Sequence, residues 1–292
     1  MRTADLIRLL ILAMLWGASF LLFRIIVPSL GAIATTEARV AVAGLALLAW
    51  QAIARVPFVW RPHVKAMAVV GLFNSAIPFA LYAFAAKTLP AGYLAILNAT
   101  APLFGALVAR VWLREPLGAK RLIGVACGIA GVAALVKLGP VVVDAEVLSA
   151  CAACLIGSAC YGFAGNYTRQ LQRPMAPASM ATGSQLAAAI AMLPLLAFEP
   201  VHATPSTRVI VALFILAIAS TAVAYLLYFR LIRDIGATRA LTVTFLVPLF
   251  AIAWGWMVLD EVPTPRMAIG AGFVIVATWL IVSAQKATKR SS

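Results

Sequence analysis

One apolar stretch of this sequence occurs twice, and the repetition limits the folds that the chain can adopt. The first copy covers residues 91–114 and the second covers residues 237–260. Glu115 follows the first copy and Glu261 follows the second, at an offset of 146 positions (261 − 115 = 146). A fixed offset of half the 292-residue chain indicates an internal duplication. We therefore predict two related halves.

The composition places both halves in a membrane. Hydrophobic residues make up 64% of the chain and charged residues only 11%, whereas a soluble domain carries about 25% charged residues. The mean hydropathy is +1.03. Apolar segments of about 20 residues are typical of transmembrane helices rather than of a barrel. The predicted fold class is an all-α integral membrane protein.

Ten apolar segments can be delimited, and the short connections between them leave no room for a soluble domain. We predict two five-helix repeats, residues 1–140 and 141–292, which form one structural unit. Because five is an odd number, the second repeat must lie upside down in the membrane relative to the first, an arrangement typical of transporters. The ten predicted spans are 6–27, 33–54, 65–86, 91–113, 118–137, 147–168, 178–198, 208–231, 238–259 and 266–284.

The basic residues predict the orientation of the chain. With both termini in the cytoplasm, 17 of the 23 Lys and Arg residues fall on the cytoplasmic side and 6 on the other (17 + 6 = 23). This bias follows the positive-inside pattern of inner-membrane proteins. We attribute the net charge of +14 to topology and not to nucleic-acid binding. Cleavage of a signal peptide is not expected, because the first apolar run continues to Val27.

Residues outside the duplicated stretch also recur in the second half. The offset is 145 in the first span and 146 from the second span onward. The corresponding residues are Trp16 and Tyr161, Gly17 and Gly162, Arg24 and Arg169, Arg39 and Gln185, Tyr82 and Tyr228, and Pro102 and Pro248.

This ordered set of motifs resembles the EamA-type branch of the drug/metabolite transporter superfamily over essentially the whole chain. The resemblance implies export or exchange of small organic metabolites, such as amino acids, related compounds and drugs, and the YddG-type amino-acid exporters look nearest. The second half departs from the pattern, with Tyr161 in place of Trp and Gln185 in place of Arg. The motifs that carry the resemblance are Trp16-Gly17-Ala18-Ser19-Phe20, Arg24, Arg39, Pro102, Leu113-x-Glu115, Gly124 and Gly131, then Pro248, Leu259-x-Glu261, Gly270 and Gly272.

Polar and aromatic side chains at mid-span are candidates for lining a substrate cavity, because they are costly in contact with lipid. One helical face carries Asn74, Pro78 and Tyr82, and another carries Thr221, Tyr225 and Tyr228. We predict that the two faces border a central aromatic cavity with few fixed charges. The alternative is that these residues link helices or lie at the membrane interface. The candidates for substrate binding are Trp16, Phe20, Asn74, Pro78, Tyr82, Asn98, Tyr161, Asn166, Gln185, Tyr225, Tyr228, Thr244 and Trp254.

Two features suggest how the helices move and pack. Pro102 and Pro248 each remove a helix hydrogen bond, so they are candidate hinges, and static kinks are the alternative. The small residues Gly124, Gly128 and Gly131 fit either internal packing or the face of a homo-oligomer.

Charged residues within the spans are few. Glu37 alone of the 9 acidic residues falls inside a predicted span, so we expect facilitated diffusion or exchange, with Glu37 the one candidate for proton coupling. We expect Glu115 and Glu261 to pair with Arg114, Arg121 or Arg266. Arg24 and Arg39 are expected toward the outer side. Without a deep cation, a zwitterionic or neutral substrate is favoured over a nucleotide sugar or phosphorylated sugar.

Enzymatic classes lack the residues that they need. His63 and His202 fall in predicted loops, and the sequence has neither a G-x-S-x-G motif nor a P-loop. The Cys151-x-x-Cys154 motif has no second pair, so we interpret it as packing. We predict a transporter of amino acids, including aromatic ones, that uses no metal or cofactor. A lipid scramblase or a structural membrane protein is the alternative outside transport.

Overall fold

The computed structural model describes residues 3–115, 118–138, 144–171, 175–199, 201, 203–235 and 243–288, and within these ranges it contains helices and no strands. The all-α prediction is confirmed. Six described helices are long and apolar enough to cross a membrane, and the first of them, Thr3–Ile53, is two helices joined at Gly31. With three shorter apolar helices, the described residues supply ten helical spans (7 + 3 = 10).

The spans keep the predicted order, and several of them are interrupted. Spans one and two form Thr3–Ile53, and span three consists of Val64–Gly71, Leu72–Ala76 and Ile77–Ala85. Span four consists of Ala91–Asn98 and Ala101–Trp112, span five of Ala119–Leu138, span six of Ala145–Arg169 and span seven of Pro177–Met192 with Leu193–Ala197. Span eight comprises Thr207–Phe214, Ile215–Val223 and Ala224–Ile235; span nine is Val243–Leu259 and span ten is Pro265–Thr288.

The turn between spans one and two is a single glycine, where the sequence predicted a short loop. Gly31 has φ 80° and ψ 172°, a conformation open to a residue without Cβ. The Glu199 carboxylate accepts a hydrogen bond from the Ile33 N–H at 2.6 Å and pairs with Lys87 Nζ at 3.1 Å. Burial favours a higher pKa for Glu199, but the hydrogen bonds from Ile33, Lys87 and Ala32 outweigh it, and the pKa is lowered.

Corresponding spans are interrupted in related ways. Span three contains the π-helical segment Leu72–Ala76, and span eight contains the π-helical segment Ile215–Val223, which covers the equivalent positions at an offset of 146. Such segments insert extra residues into a helix and often mark functional sites. The two prolines differ. Pro102 lies at the start of the second helix of span four, whereas Pro248 lies inside the unbroken helix of span nine.

The packing leaves an apolar surface of the kind that lipid covers. Spans five and ten pack mainly on each other, while span six packs on spans three and four. Ile53, Val111 and Phe198 are each more than 80% exposed. In span five, an added Cβ on Gly131 would lie 2.8 Å from Phe273 Cβ in span ten, and Gly128 faces Leu103 of span four. These two glycines of the predicted stripe therefore serve internal packing.

Candidate functional site

Aromatic side chains from four spans meet at the centre of the helical bundle. The Trp16 and Tyr228 rings are 5.2 Å apart between centroids, and the Phe20 and Tyr82 rings are 5.7 Å apart. Tyr82 in turn stacks with Tyr161 at 6.2 Å. All five were predicted as site residues, and the structure brings them together from spans one, three, six and eight. We call them the aromatic cluster.

Arg39 lies beside this cluster with its guanidinium group buried; only 4% of the residue is exposed. The guanidinium carbon is 3.6 Å from the centre of the Phe79 ring and 5.2 Å from that of Phe23. Its Nε donates to the Thr221 hydroxyl at 2.9 Å. The sequence-based expectation that no cation lies deep in the bundle is corrected, because the buried Arg39 guanidinium lies beside the aromatic cluster.

A neutral hydrogen-bond network lies next to Arg39. Asn74 Nδ2 donates to the Tyr225 hydroxyl at 2.8 Å, and Gln185 Nε2 donates to the Ser75 hydroxyl at 2.8 Å. The Tyr225 hydroxyl also interacts with Ser75 and Gln185, which joins the two bonds into one network. Gln185 and Ser75 are fully buried. Three predicted site residues, Asn74, Gln185 and Tyr225, are thereby connected across spans three, seven and eight.

Two contacts around the centre have an equivalent contact in which the two halves are exchanged. Trp16 of the first half touches Tyr228 of the second, and their counterparts Tyr161 and Tyr82 touch each other. Arg39 donates to Thr221, and its counterpart Gln185 donates to Ser75, the counterpart of Thr221. Each contact thus appears twice, with the roles of the halves exchanged. This is the pattern expected if the two halves are inverted repeats, as the sequence predicts.

Gly17 and its counterpart Gly162 make equivalent close contacts between helices, again with the roles of the two halves exchanged. A Cβ added to Gly17 would lie 2.8 Å from Phe250 Cβ and 2.9 Å from the Ala251 nitrogen. A Cβ added to its counterpart Gly162 would meet Phe104 and Gly105, which correspond to Phe250 and Ala251 at an offset of 146. Glycine at both positions lets spans one and nine, and spans six and four, pack backbone to backbone.

Ion pairs repeat the pattern at the two ends of the bundle. Arg24 Nε pairs with Glu261 Oε1 at 3.2 Å, and Arg169 pairs with Glu115. Glu261 also accepts a hydrogen bond from the Ala91 N–H at the start of span four, while Glu115 follows the end of that span. The 22 residues of span four separate the two pairs by about 33 Å. Each pair joins opposite halves, whereas the sequence suggested partners close to each glutamate in the chain.

The two ends differ in how tightly they are packed. The side chains of Arg24 and Glu261 are 29% and 15% exposed, and Arg24 also donates to the Ala86 carbonyl at 2.9 Å. The side chains of Arg169 and Glu115 are 47% and 33% exposed. Tyr82 is 1% exposed, whereas its counterpart Tyr228 is only half-buried. The end that carries Glu261 is therefore the more tightly closed.

Several predicted site residues use their polar groups to link helices. The Tyr82 hydroxyl bonds to Ser158 at 2.8 Å and to the Cys154 carbonyl at 3.0 Å. Asn166 Nδ2 donates to the carbonyls of Gly105 and Gly162, each at 2.8 Å.

The remaining predicted positions lie outside the network around Arg39. Trp254 Nε1 donates to the Met14 carbonyl at 3.2 Å, which joins spans nine and one. Pro78 packs beside Gly157 in span six. Asn98 is half-buried at the break in span four, and Thr244, its counterpart, is half-buried at the start of span nine.

Sequence reasoning missed Phe23 and Phe79, which hold the Arg39 guanidinium. An aromatic residue in a hydrophobic span gives no signal by itself, because most such residues only fill space. The signal that could have found them is Arg39 itself, since a cation well inside a span needs an aromatic or anionic neighbour. Arg39 lies about 12 Å along the helix from Gly31, too deep for an interfacial residue.

The other titratable candidates take no part in the network described above. Glu37 is 9% exposed, and its Oε2 has no hydrogen-bond partner among the described residues. Cys151, Cys154 and Cys160 are buried free thiols of span six. No metal-binding group of three His, Cys, Asp or Glu residues occurs in the described ranges. His63 follows the exposed loop before span three, and His202 lies outside the described residues.

A bundle of apolar spans around a buried polar and aromatic centre, with equivalent closures at its two ends, defines a multi-span membrane transporter. A model of the EamA-like transporter family matches residues 5–137 and 148–283. The chain therefore belongs to the EamA-like transporter family, and it is not an enzyme. The resemblance stated from the motifs is confirmed.

Individual relatives and a solved structure are similar to this chain at low sequence identity. A WAT1-related chloroplastic protein of Arabidopsis thaliana is 26% identical over 91% of this chain, which spans 66% of that longer protein. A protein of Streptantibioticus cattleyicolor described as a probable terminal-alkyne amino-acid exporter is 26% identical, with 91% of this chain and 89% of the relative covered. A solved crystal structure superposes with a TM-score of 0.67 at 18% identity, covering 100% of both chains.

Proposed function

We propose that this transporter exports small zwitterionic or neutral metabolites, above all amino acids, through the centre that the aromatic cluster and Arg39 border. The observation that carries the proposal is the set of contacts that appear twice with the halves exchanged. A central site between two equivalent closures is what alternating access requires. One relative is described as a probable terminal-alkyne amino-acid exporter, and this description supports amino acids as the substrate class.

The proposed cycle exchanges the packing of the two ends. With both termini in the cytoplasm, Glu261 lies at the outer side and Glu115 at the inner side, as the distribution of basic residues favours. Because the outer end is then the more tightly packed, the structure corresponds to a conformation closed toward the outside. When the inner pair Arg169–Glu115 becomes the buried one, the outer pair Arg24–Glu261 opens. Two states of similar energy are expected because each repeat adopts the other's conformation.

Substrate movement in this proposal is facilitated diffusion or exchange. Two carboxylates inside the described spans are buried, Asp5 and Glu37. Asp5 lies in the first turn of span one and pairs with Arg8 at 3.2 Å, whereas Glu37 lies further inside the bundle and forms no ion pair with a described residue. Glu37 is therefore the one candidate for carrying a proton through the described spans. We assign proton coupling, if it exists, to Glu37. The proposed location is the cell inner membrane. A homo-oligomer would need a surface other than Gly128 and Gly131, which face inward.

Efflux from proteoliposomes tests the proposal. Vesicles that contain the purified protein are loaded with labelled amino acids, and efflux is measured with and without a pH gradient. We expect saturable efflux of several amino acids that does not respond to the gradient. Uphill transport driven by the gradient, unchanged in Glu37→Gln, would contradict both the facilitative mechanism and the assignment of Glu37.

The same vesicles separate the alternatives. Flux of sugar phosphates or nucleotide sugars without amino-acid flux would favour a carrier of phosphorylated substrates, and flux of organic cations a drug transporter. Movement of labelled lipid between leaflets without solute flux would favour a scramblase. Arg39 is the one buried Lys or Arg among the described residues, which argues against a substrate with a doubly charged phosphate, since such a group is typically bound by several basic side chains.

A further inference from the structure

Arg39 is a buried charge without an acidic partner. No carboxylate of the described residues lies within ion-pair distance of its guanidinium, although 4% exposure removes it from solvent. Glu37, the nearest acid along the helix, is two residues away and points about 200° around the helix from Arg39. A buried charge is costly unless it is paired. Arg39 therefore has the electrostatic environment of an anion-binding site.

The guanidinium is held in place by groups that do not neutralise it. Phe79 lies 3.6 Å from its carbon, a cation–π contact that offsets part of the cost of burial. The Thr221 hydroxyl donates its own proton to the Leu216 carbonyl at 2.8 Å, so a lone pair of Thr221 faces Arg39 Nε. The π-helical segment Ile215–Val223 makes this bond to the fifth preceding residue available.

The part of Arg39 that remains available matches a carboxylate. Nε is used by Thr221, and no described residue accepts a hydrogen bond from either terminal nitrogen. Two N–H groups on a planar guanidinium form a fork that binds both oxygens of a carboxylate. The guanidinium contacts the ring of Phe79, which lies one helical turn before Tyr82 on span three, so it borders the aromatic cluster.

The equivalent position in the second half shows that the charge is not needed for packing. Gln185 makes the same contact with Ser75, at 2.8 Å, that Arg39 makes with Thr221 at 2.9 Å. A neutral amide thus links the helices there. Among the described residues of the centre, Arg39 is therefore the one cation, and a single positive charge fits an anion of one charge better than a phosphate monoester.

We propose that Arg39 binds the carboxylate of the transported substrate, and that the site takes small monocarboxylates with an apolar or aromatic side chain. The inference rests on the proposed function, because it places the substrate at the centre between the two closures. The described part of the cluster offers a substrate ammonium group no carboxylate, only the ring faces of Trp16, Tyr161 and Tyr228. The substrate's carboxylate is therefore required, and its amino group is dispensable.

Competition and binding measurements with four probes test this inference. The probes are L-phenylalanine, 3-phenylpropionate, which lacks the amino group, phenethylamine, which lacks the carboxylate, and inorganic phosphate. The proteins are the wild type, Arg39→Gln, Arg39→Lys and Arg208→Gln. Arg208→Gln removes one positive charge at an exposed position at the start of span eight and serves as the matched control. Each protein is assayed by counterflow in proteoliposomes and by calorimetric titration in detergent.

We expect phenylalanine and phenylpropionate to bind the wild type and phenethylamine and phosphate not to bind. Arg39→Gln should raise the KM and the Kd for both carboxylates by about tenfold to hundredfold, as expected for loss of a hydrogen-bonded charge pair. Arg39→Lys, which keeps the charge and loses the fork, should give an intermediate increase. Arg208→Gln should leave all values unchanged. Thermal unfolding of each variant in detergent shows whether it is folded.

The outcomes distinguish this inference from the proposed function. Carboxylate flux with an unchanged KM in both Arg39 variants would overturn the inference and leave the function standing. Binding of phenylpropionate that depends on Arg39, without amino-acid flux, would overturn the function and support the inference. Tight binding of phenethylamine or phosphate to the wild type, or no binding of any carboxylate, would overturn the inference.

Discussion

Arg39 and Gln185 occupy equivalent positions and make equivalent bonds, yet only one of them carries a charge. Each lies in the second helix of its half, and each donates to a hydroxyl of the other half, at 2.9 and 2.8 Å. Both are at least 96% buried. The comparison teaches that the duplicated scaffold supplies the helix contacts, while a single difference between the halves supplies the charge at the centre.

The ion pairs at the two ends of the bundle differ in burial and not in residue type. Arg24–Glu261 and Arg169–Glu115 consist of the same residue types at equivalent positions, but the first pair is the more buried. Identical chemistry therefore occupies two different environments. Sequence asymmetry distinguishes Arg39 from Gln185, whereas conformation distinguishes the two ion pairs.

The largest effect is expected where the halves meet at glycine. Gly162→Ala would place a Cβ 2.8 Å from the Phe104 carbonyl carbon, against backbone that cannot rotate away. Overpacking of this kind costs about 1–3 kcal/mol, and Gly17→Ala should cost a similar amount because its contacts are equivalent. Thermal unfolding in detergent measures both variants.

Gly165→Ala is the matched control for that experiment. Gly165 lies three residues further along span six, and nothing lies within 4 Å of its added Cβ. Alanine should raise stability there by up to about 1 kcal/mol, because it is the better helix former. Equal loss of stability in Gly162→Ala and Gly165→Ala would show that the close approach between the halves is not what constrains Gly162.

Removing each of the two ion pairs should lower the stability of this conformation by a different amount. Arg24→Gln removes a partly buried pair and a hydrogen bond to Ala86, and we expect a loss of about 2 kcal/mol. Arg169→Gln removes an exposed pair, for which about 0.5 kcal/mol is expected. Denaturant unfolding in detergent, with Glu261→Gln and Glu115→Gln completing two double-mutant cycles, measures the coupling of each pair. A larger coupling for Arg169–Glu115 would reverse the assignment of the closed end.

The contrast between Arg39 and Gln185 predicts opposite effects on stability. Gln185→Leu removes a buried bond to Ser75 and should cost about 1 kcal/mol. Arg39→Gln keeps a donor for Thr221 and removes a buried charge that has no acidic partner among the described residues, so its unfolding midpoint should equal or exceed that of the wild type. A clear drop in the midpoint for Arg39→Gln would indicate a structural role for the charge.

The smallest expected effect is the change with pH in the stability that Glu199 contributes at the turn beside Gly31. The lowered pKa of Glu199 means that its ionised form contributes stability at neutral pH, and that this contribution is lost as the pH falls through the lowered pKa. Glu199→Gln should therefore lower the unfolding midpoint near pH 7 by a few degrees at most. The difference between the variant and the wild type should shrink as the pH falls toward 3. A difference that grows on acidification would contradict the assigned sign.

The sequence by itself determined the fold class and the correspondence between the halves. Composition and span length require helices in a membrane, because lipid offers no partner for unpaired backbone groups. The constant offset between Glu115 and Glu261, and between Tyr82 and Tyr228, predicted which residues are equivalent. These properties are local or periodic, so they can be read along the chain. The candidate residues Trp16, Phe20, Tyr161 and Tyr225 followed from the same reading.

Only the tertiary structure decided which equivalent residues touch. Arg39 and Thr221 are 182 positions apart, and Arg24 and Glu261 are 237 apart, so no local pattern pairs them. The burial of Arg39 depended on the packing of spans three and eight, which place Phe79 and Thr221 against its guanidinium. Likewise, the sequence offered Asn166 and Trp254 as cavity residues on the same grounds as Tyr225. In the structure, the polar groups of Asn166 and Trp254 donate to backbone carbonyls of neighbouring helices instead. The physical reason is that burial and charge pairing depend on how all the spans pack together.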